Sequence, residues 1–203
     1  MIETPVLIAG GGPVGLTLAL ALSRQGVRSI LADPGEIMPV DLPDGLAHFT
    51  LADVRTEPRV SLRPGWRLFG FERFADGVTA HLMQVRGEGQ QQVRAGYLVG
   101  CDGAGSLVRN FLDIDLEDEI AVAFGRGRVI LAGDAAHPTP PASLDGLALG
   151  VADAHCLAGH LAEGMDGANP STLLESYQID RRAVARQIRA GADPDLFIRS
   201  RDH

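Results

Sequence analysis

Pro5-Val-Leu-Ile-Ala-Gly10-Gly-Gly12-Pro-Val-Gly15-Leu-Thr-Leu-Ala-Leu20-Ala-Leu-Ser-Arg-Gln25-Gly26-Val-Arg-Ser-Ile30-Leu-Ala-Asp33 is the stretch that decides how this 203-residue chain folds. Residues 5–9 are a short apolar run that stops at three glycines, as a buried parallel strand does. Val14 to Gln25 carries Leu, Ala and Thr at helical spacing and closes at Gly26. Val27 to Ala32 is a second apolar run, with Asp33 at its tip. Strand, glycine turn, helix and strand within residues 1–35 make one βαβ unit. Gly10, Gly12 and Gly15 fit G-x-G-x-x-G, and Pro13 and Val14 sit inside the same turn. Glycines let the backbone approach a pyrophosphate, whose charge meets the free N–H groups at the start of the helix. Asp33 stands where a carboxylate accepts hydrogen bonds from a ribose diol. The pattern predicts dinucleotide binding, and NAD and FAD fit it equally.

Composition narrows the chemistry. The chain is 45% hydrophobic and 22% charged, enough to bury a core. Its 18 basic residues are all Arg, against 26 acidic ones, for a net charge of −8. That balance provides no nucleic-acid surface. With no Lys, a P-loop lysine, a pyridoxal Schiff base and a lysine nucleophile are excluded. Cys101 and Cys156 form no disulfide framework, which points to a reducing, cytoplasmic setting. Glu3 and the glycines from Gly10 argue against reading the apolar N-terminus as a signal peptide. No run reaches the roughly 18 apolar residues of a membrane span.

Further along, residues 34–65 hold five prolines and little periodicity, so a loop is expected, with at most a short element near Ala47–Val54. Trp66–Phe74, Val78–Val85 and Gln91–Val99 are separated by turn signals and read as a three-strand antiparallel meander, residues 66–100. Gly103 to Leu112 reads as a short helix, Asp113 to Glu119 as an acidic linker and Arg128–Ala132 as another buried strand. Leu147, Val151, Ala154, Leu157, Ala158 and Leu161 line one face of a helix, and a last helix runs from Ser171 to about Ala190.

Two more motifs choose the cofactor. Tyr97-Leu-Val-Gly-Cys-Asp102-Gly103-Ala-Gly105-Ser-Leu-Val-Arg109 and Arg128-Val-Ile-Leu-Ala-Gly133-Asp134-Ala-Ala-His137-Pro, with Gly65-Trp66 through Ala80 and Leu173 to Arg182, resemble the class A FAD monooxygenases, the flavoprotein aromatic hydroxylases. The resemblance covers about three quarters of the chain, in the family's order. It implies an α/β fold: a single Rossmann-like FAD-binding domain over residues 1–203 with the meander inserted, residues 100–190 carrying the flavin motifs and the closing helices. It implies FAD as cofactor, NADH or NADPH as electron donor, and a small aromatic or polyketide-like substrate. Gly133 and Asp134 would meet the ribityl chain, Asp102 would serve FAD and NAD(P)H handling, and Pro141, Gly146 and Leu147 would hold the ring end. From the residues alone, Asp102 is as readily a turn residue at a helix start.

The chain also departs from the family pattern. Ser143 and Ala148 replace a glycine and an asparagine, and Pro34 stands where an Arg is frequent. Family members are about twice this length. The missing material is expected after Asp33 and between Ile114 and Gly125, where some ten residues remain, too few for a hairpin with a face to bury. Most of the substrate domain would then be absent, although the family's oxygen chemistry needs shelter from water. Two functions follow: an FAD-dependent monooxygenase, or a non-catalytic or partner-dependent flavin-binding subunit, its site closed by a second copy or another chain. No side chain presents itself as a catalytic base. Ser106 and Ser143 lack a nucleophile elbow, and His137 lies within a flavin motif. His155, Cys156 and His160 lack a second ligand pair, so no metal is expected. Arg181, Arg182, Arg186 and Arg189 read as a solvated helix face with Asp or Glu elsewhere as available partners, rather than as a phosphate reader. The Arg- and Ala-rich composition suggests a bacterial source.

Overall fold

A computed structural model describes residues 1–37, 51–140, 144–165 and 167–191. Its centre is β1 (Ile2–Ala9), whose Val6, Leu7 and Ile8 are fully buried, as a strand covered on both faces requires. α1 (Pro13–Arg24) leads to β2 (Ser29–Asp33), which pairs with β1 in parallel from Val6↔Ser29 to Ala9↔Ala32. Every residue of α1 from Gly15 to Ser23 is buried, which explains an apolar helix with hardly a polar face.

Between β2 and the meander, a short element stands where one was expected, and a strand was not expected at all. A short helix, α2 (Leu51–Thr56), precedes β3 (Val60–Pro64), which adds to β2 in parallel from Ser29↔Val60 to Asp33↔Pro64. Edge position reconciles a strand with its terminal proline, since no strand among the described residues pairs with the outer side of β3. Residues 47–50 of the element expected near Ala47–Val54 lie outside the described residues.

The meander forms as read: β4 (Trp66–Phe74), β5 (Gly77–Gln84) and β6 (Gln90–Gly100), each antiparallel to the next. β6 joins two systems. One of its edges pairs with β1 in parallel from residue 93 to 100. The other pairs with β5 over residues 90–95 and then with β10 (Val129–Leu131) over 98–100. The sheet order is β3-β2-β1-β6-β10-β9, with β9 (Gly125–Arg126) antiparallel at the far edge. This is the α/β, Rossmann-like architecture that the sequence indicated.

Between β6 and β9 lie α3 (Leu107–Phe111) and a two-strand hairpin, β7 (Leu116–Glu117) with β8 (Ile120–Ala121). The hairpin corrects the expectation of a bare linker. Its turn places Asp118 and Glu119 at φ of 50° and 58°, as two-residue hairpin loops demand. Ile120 and Ala121 are buried, so even this stub has an inner face. α4 (Leu144–Met165) packs on α1, and α5 (Pro170–Arg189) packs on α4, opened by an Asn169 side-chain cap to the Ser171 N–H.

Because Leu98 on β6 is fully buried where β1 and β10 both pair with its strand, Leu98→Ala should cost about 2–5 kcal/mol of unfolding free energy. Urea titration at unchanged m-value measures it.

Candidate functional site

The carboxyl ends of β1, β6 and β10 converge, and there a cleft of about 440 Å³ opens. Gly12, Pro13, Val14, Cys101, Gly103, Ala132, Asp134, Thr139, Pro140, Leu144, Gly146 and Leu147 line it. Six of these were nominated from sequence: Gly12, Pro13 and Val14 in the first motif, Asp134 in the third, and Gly146 and Leu147 in what proves to be the first turn of α4; Cys101, Gly103 and Ala132 stand within the second and third motifs. Segments more than a hundred residues apart therefore face one space.

The glycine turn is built by close approach. A Cβ on Gly10, whose φ is +112°, would lie 2.2 Å from the Cys101 carbonyl oxygen; one on Gly15 would lie 2.0 Å from the Gly10 carbonyl oxygen. Nothing stands within 4 Å of where a Cβ on Gly12 would project, so the backbone here faces open room. α1 starts at that point with Pro13 in its first turn, no side-chain cap and no acidic residue. Its unpaired N–H groups remain available to an anion.

Asp33 lies beside the turn. Its Oδ2 accepts the Gly11 N–H at 2.7 Å and its Oδ1 accepts the Gly35 N–H at 2.7 Å. Each oxygen keeps a further lone pair for a hydroxyl. Asp134, in a single 3-10 turn (Gly133–Ala135), accepts the Thr139 hydroxyl at 2.9 Å. Val14 wedges against this turn: Cβ atoms built on Gly133 and Gly150 would lie 2.9 and 2.6 Å from its Cγ2.

Asp102 is engaged elsewhere. Its Oδ1 accepts the Ser106 hydroxyl at 2.6 Å, and its Oδ2 accepts the Leu107 and Val108 N–H groups at 2.8 and 3.1 Å. It fastens the start of α3, while its neighbours Cys101 and Gly103 line the cleft. Pro141 and Ser143 lie outside the described residues. Burial pushes the Cys101 thiol well up, so the cleft presents a neutral thiol and no thiolate nucleophile.

Several residues that matter here were not nominated from sequence. Thr139 orients Asp134. Arg109, buried, donates to the carbonyls of Ala135 at 2.9 Å and Ala104 at 2.7 Å, tying the second motif to the third. Beneath the Gly133–Ala135 turn, Asp153 is fully buried; it accepts the Gly133 N–H at 3.0 Å and Arg181 Nε at 2.6 Å, and it contacts His137 Nε2. Arg181 is 4% exposed and points inward, so it is not part of a solvated face, while the expected pairing of this arginine run with distant acids is met by Asp153 and by Glu119 with Arg189. Burial acts to raise the Asp153 pKa, and the facing His137 and Arg181 more than reverse this, holding the carboxyl below the ordinary range.

The sequence profile of the FAD binding domain family matches residues 3–36, 38–123 and 114–192. The chain belongs to that family. Its matched segments meet at 36–38 and overlap across 114–123, the two places where material was expected to be missing. The chain is 33% identical over 182 residues to rifampicin monooxygenase from Streptomyces venezuelae, covering 81% of this chain and 37% of that protein. It is 24% identical to 3-(3-hydroxy-phenyl)propionate/3-hydroxycinnamic acid hydroxylase from Mycobacterium sp. (strain JLS) over 335 positions, which include 91% of this chain and 58% of the relative. That share is about 185 residues, so about 150 of the relative's positions face no residue here. This chain therefore spans well under two thirds of both relatives' lengths. Among solved structures, OxyS anhydrotetracycline hydroxylase from Streptomyces rimosus superposes with a TM-score of 0.75 at 23% identity, covering 92% of this chain and 67% of that one. The class A monooxygenase family and the fold inferred from three short motifs both hold. No helix among the described residues is long and apolar enough to cross a membrane.

The Asp153 carboxyl sits below its unfolded value of about 3.9, so its stabilisation is complete above that pH and is lost as pH falls through the lower native value. Asp153→Asn should cost about 3–5 kcal/mol at pH 7 by stranding Arg181. The difference from wild type should narrow below about pH 4, read by urea unfolding at a series of pH values.

Proposed function

We propose that this chain binds FAD along the cleft and acts as a flavin-dependent oxidoreductase of the aromatic-hydroxylase type, with NADH or NADPH as electron donor and a small aromatic or polyketide-like molecule as substrate. The observation that carries the reading is the single cleft onto which Gly12–Val14 and Asp134 both open. A diphosphate at the glycine turn and a ribityl chain at Asp134 can thus belong to one molecule. Gly10, Gly12 and Gly15 leave room for the diphosphate, and the start of α1 supplies N–H donors. Asp33, already fixed by two backbone donors, offers its remaining lone pairs to the ribose. Thr139 holds Asp134 toward the ribityl hydroxyls, and Gly146 and Leu147 form the ring end. Bound there, the flavin would supply redox and oxygen chemistry; the protein supplies grip and orientation.

A second reading, a partner-dependent subunit, draws on the roughly 150 positions absent relative to the hydroxylase from Mycobacterium and on Leu144, which lines the cleft yet is 63% exposed. A second copy or another chain would then cover the site.

Addition of FAD to the purified chain should give a bound flavin spectrum. Asp134→Ala should weaken FAD binding roughly 10- to 100-fold, the worth of a charged hydrogen bond. The absence of flavin uptake by wild type would remove the reading. With FAD bound, NADH or NADPH consumption should exceed the free-flavin background, and peroxide yield measures how much escapes coupling to substrate. FAD binding without consumption would select the subunit reading.

A further inference from the structure

The sequence offered Cys156 and His160 one helical turn apart on α4, with no partner pair in sight. The fold provides a third donor from α5. The Cys156 thiol, a His160 ring nitrogen and an Asp180 carboxylate oxygen all lie within 4.8 Å of one another. The geometry points to a zinc-class divalent cation site at the α4–α5 seam, apart from the cleft and unused by the proposed flavin chemistry. Cys156 is about 13 Å further along α4 than Leu147, at 1.5 Å rise per residue.

Donor chemistry selects the cation. A thiolate, an imidazole and one carboxylate suit Zn²⁺ and its borderline neighbours and disfavour Mg²⁺ and Ca²⁺, which take all-oxygen shells. Bonds of 2.0–2.3 Å in a tetrahedron place donors about 3.4 Å apart. The three atoms must draw together by up to about 1.4 Å from their widest separation here, which side-chain rotation provides on two rigid helices. Burial is graded across the group: Cys156 is 4% exposed, His160 is half-buried and Asp180 is exposed. The sulfur thus anchors the ion from the core side, and the carboxylate leaves the fourth position to water.

Surrounding charges permit a cation. Arg181 is adjacent to Asp180, but its guanidinium turns inward and is paired with Asp153. The His160 ring meets Tyr177 edge-on at 6.5 Å, and Tyr177 is itself held by a 3.1 Å bond from its hydroxyl to the Leu131 carbonyl. Ion binding exchanges one proton: the Cys156 thiol releases H⁺ to solvent as its thiolate bonds to the metal, with no change of oxidation state. The bound ion would clamp α5 to α4.

The test uses the untagged full chain, dialysed against EDTA and then against buffer. Zn²⁺ should bind one per chain by calorimetry and raise the melting temperature, while Mg²⁺ should do neither. Co²⁺ should add a thiolate-to-metal charge-transfer band to the difference spectrum. Cys156→Ser should abolish that band. His160→Gln should weaken Zn²⁺ binding at least tenfold, and Asp180→Asn, an exposed substitution that leaves the core intact, should weaken it several-fold. The site is refuted if wild type shows no Zn²⁺ binding, or if Zn²⁺ affinity is unchanged in either His160→Gln or Asp180→Asn. Those two variants decide the matter even if Cys156→Ser fails to fold.

Discussion

One buried carboxylate fixes the geometry on which the cleft depends. Asp153 lies wholly out of water, where an unpaired charge would cost several kcal/mol. It is tolerated because the Gly133 N–H, Arg181 and His137 converge on its two oxygens. Those partners come from the turn after β10 and from α5, while Asp153 itself is on α4. Satisfying one charge therefore locks three segments together directly behind Asp134. Arg109 adds a further tie by donating to the Ala135 and Ala104 carbonyls. The turn that presents Asp134 is thus held directly by Arg109 and, through Asp153, by Arg181, both of low exposure, in a chain that uses arginine for every basic position.

The same economy shapes the glycine turn. Gly10 and Gly15 are required by the space between them and Cys101, and Val14 fills what would otherwise be a gap against Gly133 and Gly150. β6 makes the arrangement coherent, since it alone pairs with β1, β5 and β10. The meander is thus a continuation of the central strand. It extends the sheet without disturbing the parallel core where the motifs meet.

Legibility in the sequence followed the range of the interactions. β1, α1 and β2 were readable because apolar period and glycine punctuation are local signals. The meander was readable because each turn carries Gly beside charged or small residues. β3 escaped because Val60-Ser-Leu-Arg alternates for only four residues before Pro64, in a proline-rich stretch, and its edge position makes the terminal proline acceptable. α2 falls where a short element was expected near Ala47–Val54, but its six residues are too few to show a helical period and so to name it a helix. In the candidate site, the glycines, Asp33, Asp134, Gly146 and Leu147 came from motifs. The bond from Arg181 to Asp153 spans 28 residues and that from Arg109 to Ala135 spans 26, so neither leaves a spacing signal. Asp180 joins Cys156 and His160 only through helix packing.

The β7–β8 stub has a further meaning. Ala121 donates its N–H to the Ala136 carbonyl at 2.7 Å, one residue beyond the turn carrying Asp134, and Arg189 grips Glu119 at the hairpin tip. The tip faces outward while its root is fastened to the cleft wall. A longer insertion grafted between Asp118 and Glu119 would leave the parallel sheet untouched and would transmit its own movements to the wall as a lever does to its fulcrum.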